Sequence, residues 1–325
     1  MYANPECASL RRTLTRASAA AWAGVISIAG LMAWFAAVGL RYLLAGHDLW
    51  RAVQASAAIA VGPAVVFTVS LLLVAEQLWP AVPRPLFARA HFVDAFYLGL
   101  VALAVVPLTL VETGFNHEVV RNAPFLTLGR LPLVPRAVVA VILLVAIDAM
   151  NWCGHVANHR FLALWRLHAL HHSQEDMGVL TTFRIHPLVH ASYLPALLPG
   201  LVLLNSGTVP STALLAYGCM VAFTHANLPW RLGPLGRVVV SPAYHRIHHA
   251  RELGGRGTVN FGFALVIWDR LTRRAEFPVG PPRPTGLANR PVPVEQIVGM
   301  RRLPALVVAQ LAQPLRLYAA TDGPQ

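Results

Sequence analysis

Residues 133–172 read LVPRAVVAVILLVAIDAMNWCGHVANHRFLALWRLHALHH. The first half, 133–151, is apolar, with Arg136 and Asp148 near its two ends. A helix needs about 20 mostly apolar residues to cross a bilayer, because its backbone polar groups must be paired within the helix. The second half carries the patterns HxxxH and HxxHH, whose spacings of three and four place side chains on one helical face. We therefore expect a membrane-spanning helix that leads into histidine-rich helices.

The composition of the whole chain agrees with a membrane protein. Of its 325 residues, 56% are hydrophobic and 12% are charged, about half the charged share of an ordinary soluble domain. This composition excludes disorder and disfavours a soluble globular protein. All 26 basic residues are arginines against 14 acidic residues, and the surplus suits an anionic membrane surface. Three scattered cysteines predict neither a disulfide framework nor a zinc ribbon.

The apolar segments predict an all-α integral membrane helical bundle of about four spans plus a helical hairpin. The spans are expected over 17–40, 52–75, 92–111 and 133–151, and the hairpin over 188–224, with arms 188–206 and 209–224. A proline-rich linker follows from about 275, and an amphipathic helix is expected to lie on the membrane over 295–318, with a seventh span as the alternative. The predicted domains are 1–147 (transmembrane helices), 148–274 (histidine boxes with the hairpin) and 275–325 (linker and C-terminal helix).

The arginines predict the orientation. An even number of spans returns the chain after residue 151, apart from the hairpin, to the side of the N-terminus, and sixteen arginines lie there. Because positive charge favours the inside, this histidine-rich cap is expected in the cytoplasm, at the inner or plasma membrane. Four tryptophans fit an interfacial aromatic belt: Trp152, Trp165, Trp230 and Trp268.

Eleven of the fourteen histidines fall between 155 and 249. They form one HxxxH box and two HxxHH boxes, and the predicted crossings bring all three boxes and His225 to one membrane face. Nine neutral nitrogen donors exceed the needs of one ion, so the count predicts two metal ions. The nine candidate ligands are His155, His159, His168, His171, His172, His225, His245, His248 and His249.

Ligating imidazoles usually donate their second N–H to a carboxylate, an amide or a backbone carbonyl. Candidate partners near the boxes are Asp148, Glu175, Asp176, Asp269, Asn151, Asn158, Asn227 and Asn260. His186 and His190 could form a further HxxxH, but Pro187 lies between them, so they are weaker candidates.

The ordered motifs HVANH, LWRLHALHHS, TFRIHP, THAN, SPAYHRIHH and NFGFALVIWDRL resemble the sterol desaturase and fatty acid hydroxylase superfamily. The resemblance runs from about Asp148 to Leu271. It implies an integral membrane non-haem di-iron oxygenase that uses O2 and electrons to hydroxylate or desaturate a lipid, such as a sterol or fatty acyl chain. It also implies that the nine histidines hold two iron ions, that Arg184 and His186 line or brace the site, and that three further residues support it: Asn227, Asn260 and Asp269.

The sequence departs from the family pattern in three places. Val189 stands where an acidic residue often follows the HPL motif, and Thr258 stands where an aspartate often precedes the NFG motif. Residues 272–274 replace the usual FGT. These departures bear on the substrate and on loop packing, and they leave the histidine boxes intact.

The sequence also suggests partners. It contains no GxGxxG fingerprint, no CxxCH haem site and no iron–sulfur cysteine set, so a separate electron donor is expected, a reductase with a ferredoxin or cytochrome. The lipid substrate would enter from the bilayer, and no nucleic-acid reader motif is present. Two other classes stay open: a membrane zinc-dependent lipid hydrolase and a non-enzymatic haem or metal-binding membrane protein.

Overall fold

The computed structural model describes residues 63–85, 88–101, 121–122, 136–193, 211–253, 259–288, 301 and 303–319. Within these ranges the chain forms helices and irregular segments, and its β-structure is limited to two isolated bridges. The all-α class is thus confirmed for the described residues. The expected span 17–40 lies outside them, and the spans 52–75 and 92–111 are described only in part.

We number the described α-helices in chain order. They are α1 (Pro63–Leu78), α2 (89–101), α3 (Arg136–Arg160), α4 (Leu162–His172), α5 (Ser211–His225), α6 (Pro242–His248), α7 (Ile267–Leu271) and α8 (Leu303–Ala319). Short 3-10 helices connect several of them: Val179–Phe183, Pro187–Ser192, Gly233–Arg237 and Arg251–Leu253.

Helix α3 continues nine residues beyond the expected span 133–151. The first histidine box therefore lies on its last two turns rather than past its end. The segment Val141–Arg160 is the one helix in the described part of the chain that is long and apolar enough to cross a membrane, and Val66–Leu78 of α1 is a shorter apolar helix. Both helices expose apolar side chains, including Leu71 at 57% and Ile142 at 46%.

The first arm of the predicted hairpin does not begin as an α-helix at residue 188. Residues 187–192 form a 3-10 helix instead, because Pro187 starts a helix and the ring of His186 accepts a hydrogen bond from the Leu188 N–H. This segment packs so closely on α3 that a Cβ on Gly154 would lie 2.7 Å from the Ser192 carbonyl oxygen. The remainder of the arm, 194–206, lies outside the described residues, whereas α5 matches the second arm.

Two apolar clusters fix the histidine-bearing helices. One contains Val69 and Leu72 of α1, Leu180 of the 3-10 helix Val179–Phe183, and Ala222 of α5. The other joins α2, α4 and α8 through five residues: Val93, Tyr97, Leu170, Leu306 and Val307. The C-terminal helix, expected over 295–318, is described as Leu303–Ala319, and it packs on α2 and α4 through Leu306 and Val307; residues 295–300 and 302 lie outside the described ranges.

Candidate metal centre and adjoining cavity

All nine candidate ligands are buried, and the structure brings them together in two clusters. Within each cluster, one potential ligand atom per residue lies within 4.8 Å of all the others. Cluster A consists of His155, His159, His168, His172 and His248, and cluster B of His171, His225, His245 and His249.

Helix α4 supplies both clusters. Its one-turn pair, His168 and His172, belongs to cluster A, whereas His171 belongs to cluster B. Adjacent positions on an α-helix differ by about 100° in direction, so His171 and His172 cannot face the same point. This HxxHH box therefore gives two histidines to cluster A and one to cluster B.

The other HxxHH box, on α6 and its C-cap, has the opposite division. His245 and His249 belong to cluster B, and His248 belongs to cluster A. Ser241 caps α6 by accepting from the Tyr244 N–H, with proline at the next position, which fixes where the box begins. The clusters lie side by side, since the His172 and His249 rings stack at 4.3 Å.

Three imidazoles have a defined tautomer. Nδ1 of each lies 2.8 Å from a backbone carbonyl oxygen, and a carbonyl can only accept, so Nδ1 carries the proton and Nε2 keeps its lone pair. The pairs are His155 with Phe261, His248 with Val259 and His225 with Val221. In all three, the nitrogen that remains is available to a metal ion.

The facing nitrogens have the spacing of metal ligands. The Nε2 atom of His225 lies 3.0 Å from Nε2 of His171 and 3.1 Å from Nε2 of His245. The Nε2 atoms of His168 and His172 are 3.3 Å apart. Two nitrogens each about 2.05 Å from one ion are about 2.9 Å apart at 90° and about 3.3 Å apart at a tetrahedral angle. The donor set therefore fits ions that imidazole binds, such as iron or zinc.

Burial keeps these imidazoles in the form that binds metal. It lowers the pKa of His248 to about 4, and burial, reinforced by neighbouring histidines, lowers the pKa values of His168, His172, His245 and His249 well below the usual value. A lowered histidine pKa means a neutral ring near pH 7.

Asp269 holds a loop rather than a histidine. Its carboxylate accepts from the backbone N–H groups of Phe261 and Gly262, at 3.0 and 2.9 Å. It also accepts from the Trp152 indole at 2.8 Å and the Tyr244 hydroxyl at 3.0 Å. Burial raises the pKa of this carboxyl, and these donors oppose the shift. Because the Phe261 carbonyl orients His155, Asp269 acts on cluster A through the backbone.

Asp148 secures the other end of the same loop. It accepts from the N–H groups of Ala264 and Leu265 at 3.0 and 3.1 Å, and from the Trp268 indole at 2.8 Å. Two of the tryptophans expected in an aromatic belt therefore anchor buried carboxylates. Asp148 and Asp269 support the ligands indirectly, whereas a direct contact was expected.

Asn260 shapes the loop from within. Its φ of 59° is left-handed, a conformation that asparagine tolerates better than most residues. The side-chain amide donates to the carbonyl oxygens of Tyr244 and Glu276 and accepts from the Glu276 N–H. It thereby joins the loop to α6.

Arg184 is a fully buried brace. Its Nε lies 2.7 Å from the Asp94 carboxylate of α2, and its Nη1 donates to the Ser173 hydroxyl at 3.4 Å. Gln174 donates to the same carboxylate. The ion pair thus joins α2 to the end of the α4 box.

Asn227 braces α6. Its Oδ1 accepts from Arg246 at 2.7 Å, within the HRIHH box, and its backbone N–H donates to Glu76 at 2.6 Å. Glu76 also accepts from the Val179 N–H and pairs with Arg84. Sequence reasoning missed Glu76, although a carboxylate at the end of an apolar helix signals a buried partner.

Other candidates lie away from both clusters. The His186 ring accepts from the Leu188 N–H through Nδ1 and donates through Nε2 to the Leu311 carbonyl of α8, at 3.1 Å. Glu175 forms an ion pair with Arg251 at 2.9 Å. These residues connect segments of the fold, and neither belongs to cluster A or cluster B.

A cavity of about 220 Å³ adjoins both clusters. His168 of cluster A and His171 and His225 of cluster B form part of its wall. Much of the remaining wall is apolar, with contributions from Val221 of α5 and from Phe263. A C–H bond held here would face both groups of histidines.

The histidine-rich region is similar in sequence to a family of known enzymes. Residues 140–273 match the family model described as Fatty acid hydroxylase. Ornithine lipid hydroxylase OlsE of Rhizobium tropici is 36% identical over 155 residues, which are 46% of this chain and 45% of that protein. Alkylglycerol monooxygenase of Caenorhabditis elegans is 30% identical over 135 residues, which are 38% of this chain and 24% of that protein. Alkylglycerol monooxygenase of Homo sapiens is 28% identical over 128 residues, which are 38% of this chain and 28% of that protein. No solved structure matches the chain.

The chain spans less than half the length of these relatives. The matched region nevertheless contains all nine clustered histidines and the loop that Asp148 and Asp269 hold. The resemblance inferred from the ordered boxes is therefore confirmed. Over residues 140–273 the chain is therefore similar to fatty acid hydroxylases, which are members of the sterol desaturase and fatty acid hydroxylase superfamily.

Proposed function

We propose that the chain is a membrane-bound non-haem di-iron oxygenase that hydroxylates a lipid. The observation that carries the proposal is the pair of adjoining buried clusters, with five and four imidazoles. The names of the relatives, a lipid hydroxylase and an alkylglycerol monooxygenase, favour hydroxylation of a lipid over desaturation. Two bound iron ions would supply O2 activation and the oxidation of an unactivated C–H bond.

The protein's own residues then bind and orient. Nine neutral imidazoles hold the ions, and the carbonyl oxygens of residues 221, 259 and 261 fix which ring nitrogen faces them. Asp148 and Asp269 hold the loop that carries two of those carbonyls. Phe263 and Val221 give the cavity apolar wall against which a lipid chain can pack. These positioning residues set the site before a lipid arrives.

Substrate, electrons and location follow from the surroundings of the site. The exposed apolar side chains of α1 and α3 favour a position in the bilayer, from which a lipid enters the cavity. Electrons come from a separate donor, a reductase with a ferredoxin or cytochrome. The sixteen arginines after residue 151 favour a cytoplasmic cap at the inner or plasma membrane.

Metal analysis tests the proposal most directly. We would prepare the full chain in detergent from iron-replete, anaerobic cells and measure metals, with Mössbauer spectroscopy on iron-57 material. The wild type is expected to hold about two irons per chain, and His171→Ala/His248→Ala, which removes one ligand from each cluster, is expected to lose them. His186→Gln, outside both clusters, serves as the control and keeps its iron.

The same preparation separates the alternatives. Zinc in place of iron would overturn the oxygenase and favour the lipid hydrolase, and a haem absorbance band would favour the haem protein. With iron present, lipid mass spectrometry of cells with the wild type or the double variant should reveal a lipid with one added oxygen only in the wild type. Identical lipid profiles in the two strains would contradict the hydroxylase.

A further inference from the structure

The cavity beside the clusters is lined by three buried polar groups that belong to no clustered histidine, on Thr182, His190 and Tyr217. The Tyr217 hydroxyl interacts with Asp148 and Asn151. Oγ1 of Thr182 and Nε2 of His190 are buried, their residues line the cavity, and neither atom has a hydrogen-bond partner within the described ranges of the chain. Buried polar groups are nearly always hydrogen-bonded, so two unpaired ones in one cavity call for an explanation.

Each of these residues has a neighbour of the same type that is fully engaged in the fold. The Thr181 hydroxyl accepts from the Gly178 N–H at 3.0 Å and donates to Asp94 at 3.4 Å. Both ring nitrogens of His186 are likewise bonded. Within the described residues the fold therefore uses Thr181 and His186, whereas Thr182 Oγ1 and His190 Nε2 have no partner there.

The volume of the cavity sets the size of the lipid segment that it can hold. A sphere of 220 Å³ is about 7.5 Å across, which is about five carbon–carbon bonds of ~1.5 Å. Drug-sized ligands occupy pockets of about 300–1,000 Å³, so only a segment of a lipid fits. Ile185 and Val189 add apolar wall for the adjoining methylene groups.

We propose that Thr182 and His190 determine substrate specificity by hydrogen-bonding an oxygen-bearing group of the lipid: a hydroxyl, ester or amide. This contact directs oxidation to a carbon within a few bonds of that oxygen, and not to a plain hydrocarbon chain. The choice of a lipid as occupant rests on the proposed function. The preference for oxygen rests on the two unpaired polar groups.

A binding comparison tests this directly. Tagged nanodiscs with the full chain are mixed with empty nanodiscs and radiolabelled 1-hexadecanol or heptadecane, which replaces the hydroxyl by a methyl group. After separation under anaerobic conditions, the wild type is expected to retain at least tenfold more hexadecanol than heptadecane above the empty discs. Thr182→Val and His190→Phe keep the side-chain shapes, and together they are expected to reduce this ratio to about one.

Ile185→Val is the matched control, because it changes the same cavity without changing a hydrogen bond, and it is expected to keep the preference. A ratio near one in the wild type, or a preference that survives in Thr182→Val/His190→Phe, would overturn the proposal. The measurement requires neither O2 nor reductant, so it is independent of whether the chain oxidises lipid. The metal analysis of the same variants reports separately on the metal centre.

Discussion

The four donors to the Asp269 carboxylate include no clustered histidine, yet Asp269 helps to orient the ring of His155. It holds the N–H groups of Phe261 and Gly262, and the Phe261 carbonyl fixes the His155 ring. The support that a metal ligand usually receives from a carboxylate is here passed through a backbone carbonyl. At the scale of residues, the metal site therefore depends on how firmly one loop is held.

Asp269→Asn is expected to weaken the site and the fold together. The amide places an NH2 group where the carboxylate meets four donors, so at least one donor loses its partner. We expect the free energy of unfolding to fall by about 2–3 kcal/mol and the affinity for iron to fall about 10- to 100-fold. Thermal unfolding in detergent and metal titration would measure both.

Glu276→Gln provides the control for that substitution. Glu276 lies in the segment that meets the same loop, but its carboxylate pairs with Arg283 near the surface, where ion pairs contribute little. Glu276→Gln should change neither the free energy of unfolding nor the affinity for iron. Equal losses in the two variants would contradict the role of Asp269.

Residue types at fixed spacing are what the sequence predicts well. The nine histidines could be named because repeated spacings of three and four have a direct geometric meaning on a helix. Glu76, Thr182 and His190 could not, because their roles depend on which residues meet them across the fold. Asp94 lies near one end of the expected span 92–111, but its partner Arg184 lies 90 positions away, so the sequence does not indicate the pair.

At the scale of elements, α4 and α6 contribute histidines to the two clusters in a reciprocal way. Each gives its one-turn pair to one cluster and its middle histidine to the other. The spacing predicted that the boxes converge, but not that each box divides, since division depends on how α4 and α6 face each other. The helix that carries the first box runs from Arg136 to Arg160, so the apolar segment and His155 and His159 lie on one continuous helix.

This division predicts which pairs of histidines act together. His171→Ala/His225→Ala removes two ligands from cluster B and leaves cluster A intact. We expect this variant to keep about one iron per chain, in contrast to the loss of both from His171→Ala/His248→Ala. Iron analysis of the two double variants, made in parallel, distinguishes them. Equal iron contents would show that the clusters do not bind independently.

The ion pair between α2 and the segment after α4 carries a second prediction. Asp94→Asn leaves the Arg184 charge buried without its partner, which is expected to lower the free energy of unfolding by about 3–5 kcal/mol. Thermal unfolding would measure the loss. Adding Arg184→Leu should recover part of it, because the unpaired charge is then gone. Glu252→Gln, at an exposed ion pair, should have little effect, and no recovery in the double variant would argue against the pair.

At the scale of the whole molecule, two surfaces differ in character. Helices α1 and α3 expose aliphatic side chains, whereas the cap around α6 and α7 exposes arginines, among them Arg237 and Arg270. Apolar composition could predict the first surface from the sequence. The packing of α8 on α2 could not be predicted, because the sequence of an amphipathic helix fits a protein surface as well as a membrane surface.

Cysteine labelling would test where these two surfaces lie. In a chain whose three native cysteines are replaced by alanine, Leu71→Cys and Ile142→Cys probe the apolar faces, and Val279→Cys, 76% exposed, probes the cap. We expect a membrane-impermeant maleimide to label residue 279 in inverted vesicles but not in intact cells, because the proposed orientation places the arginine-rich cap in the cytoplasm. Residues 71 and 142 should react in neither preparation until detergent denatures the protein, since the proposed bilayer position covers them with lipid. Labelling of residue 279 in intact cells would reverse the orientation, and rapid labelling of 71 and 142 in vesicles would place the two helices in water.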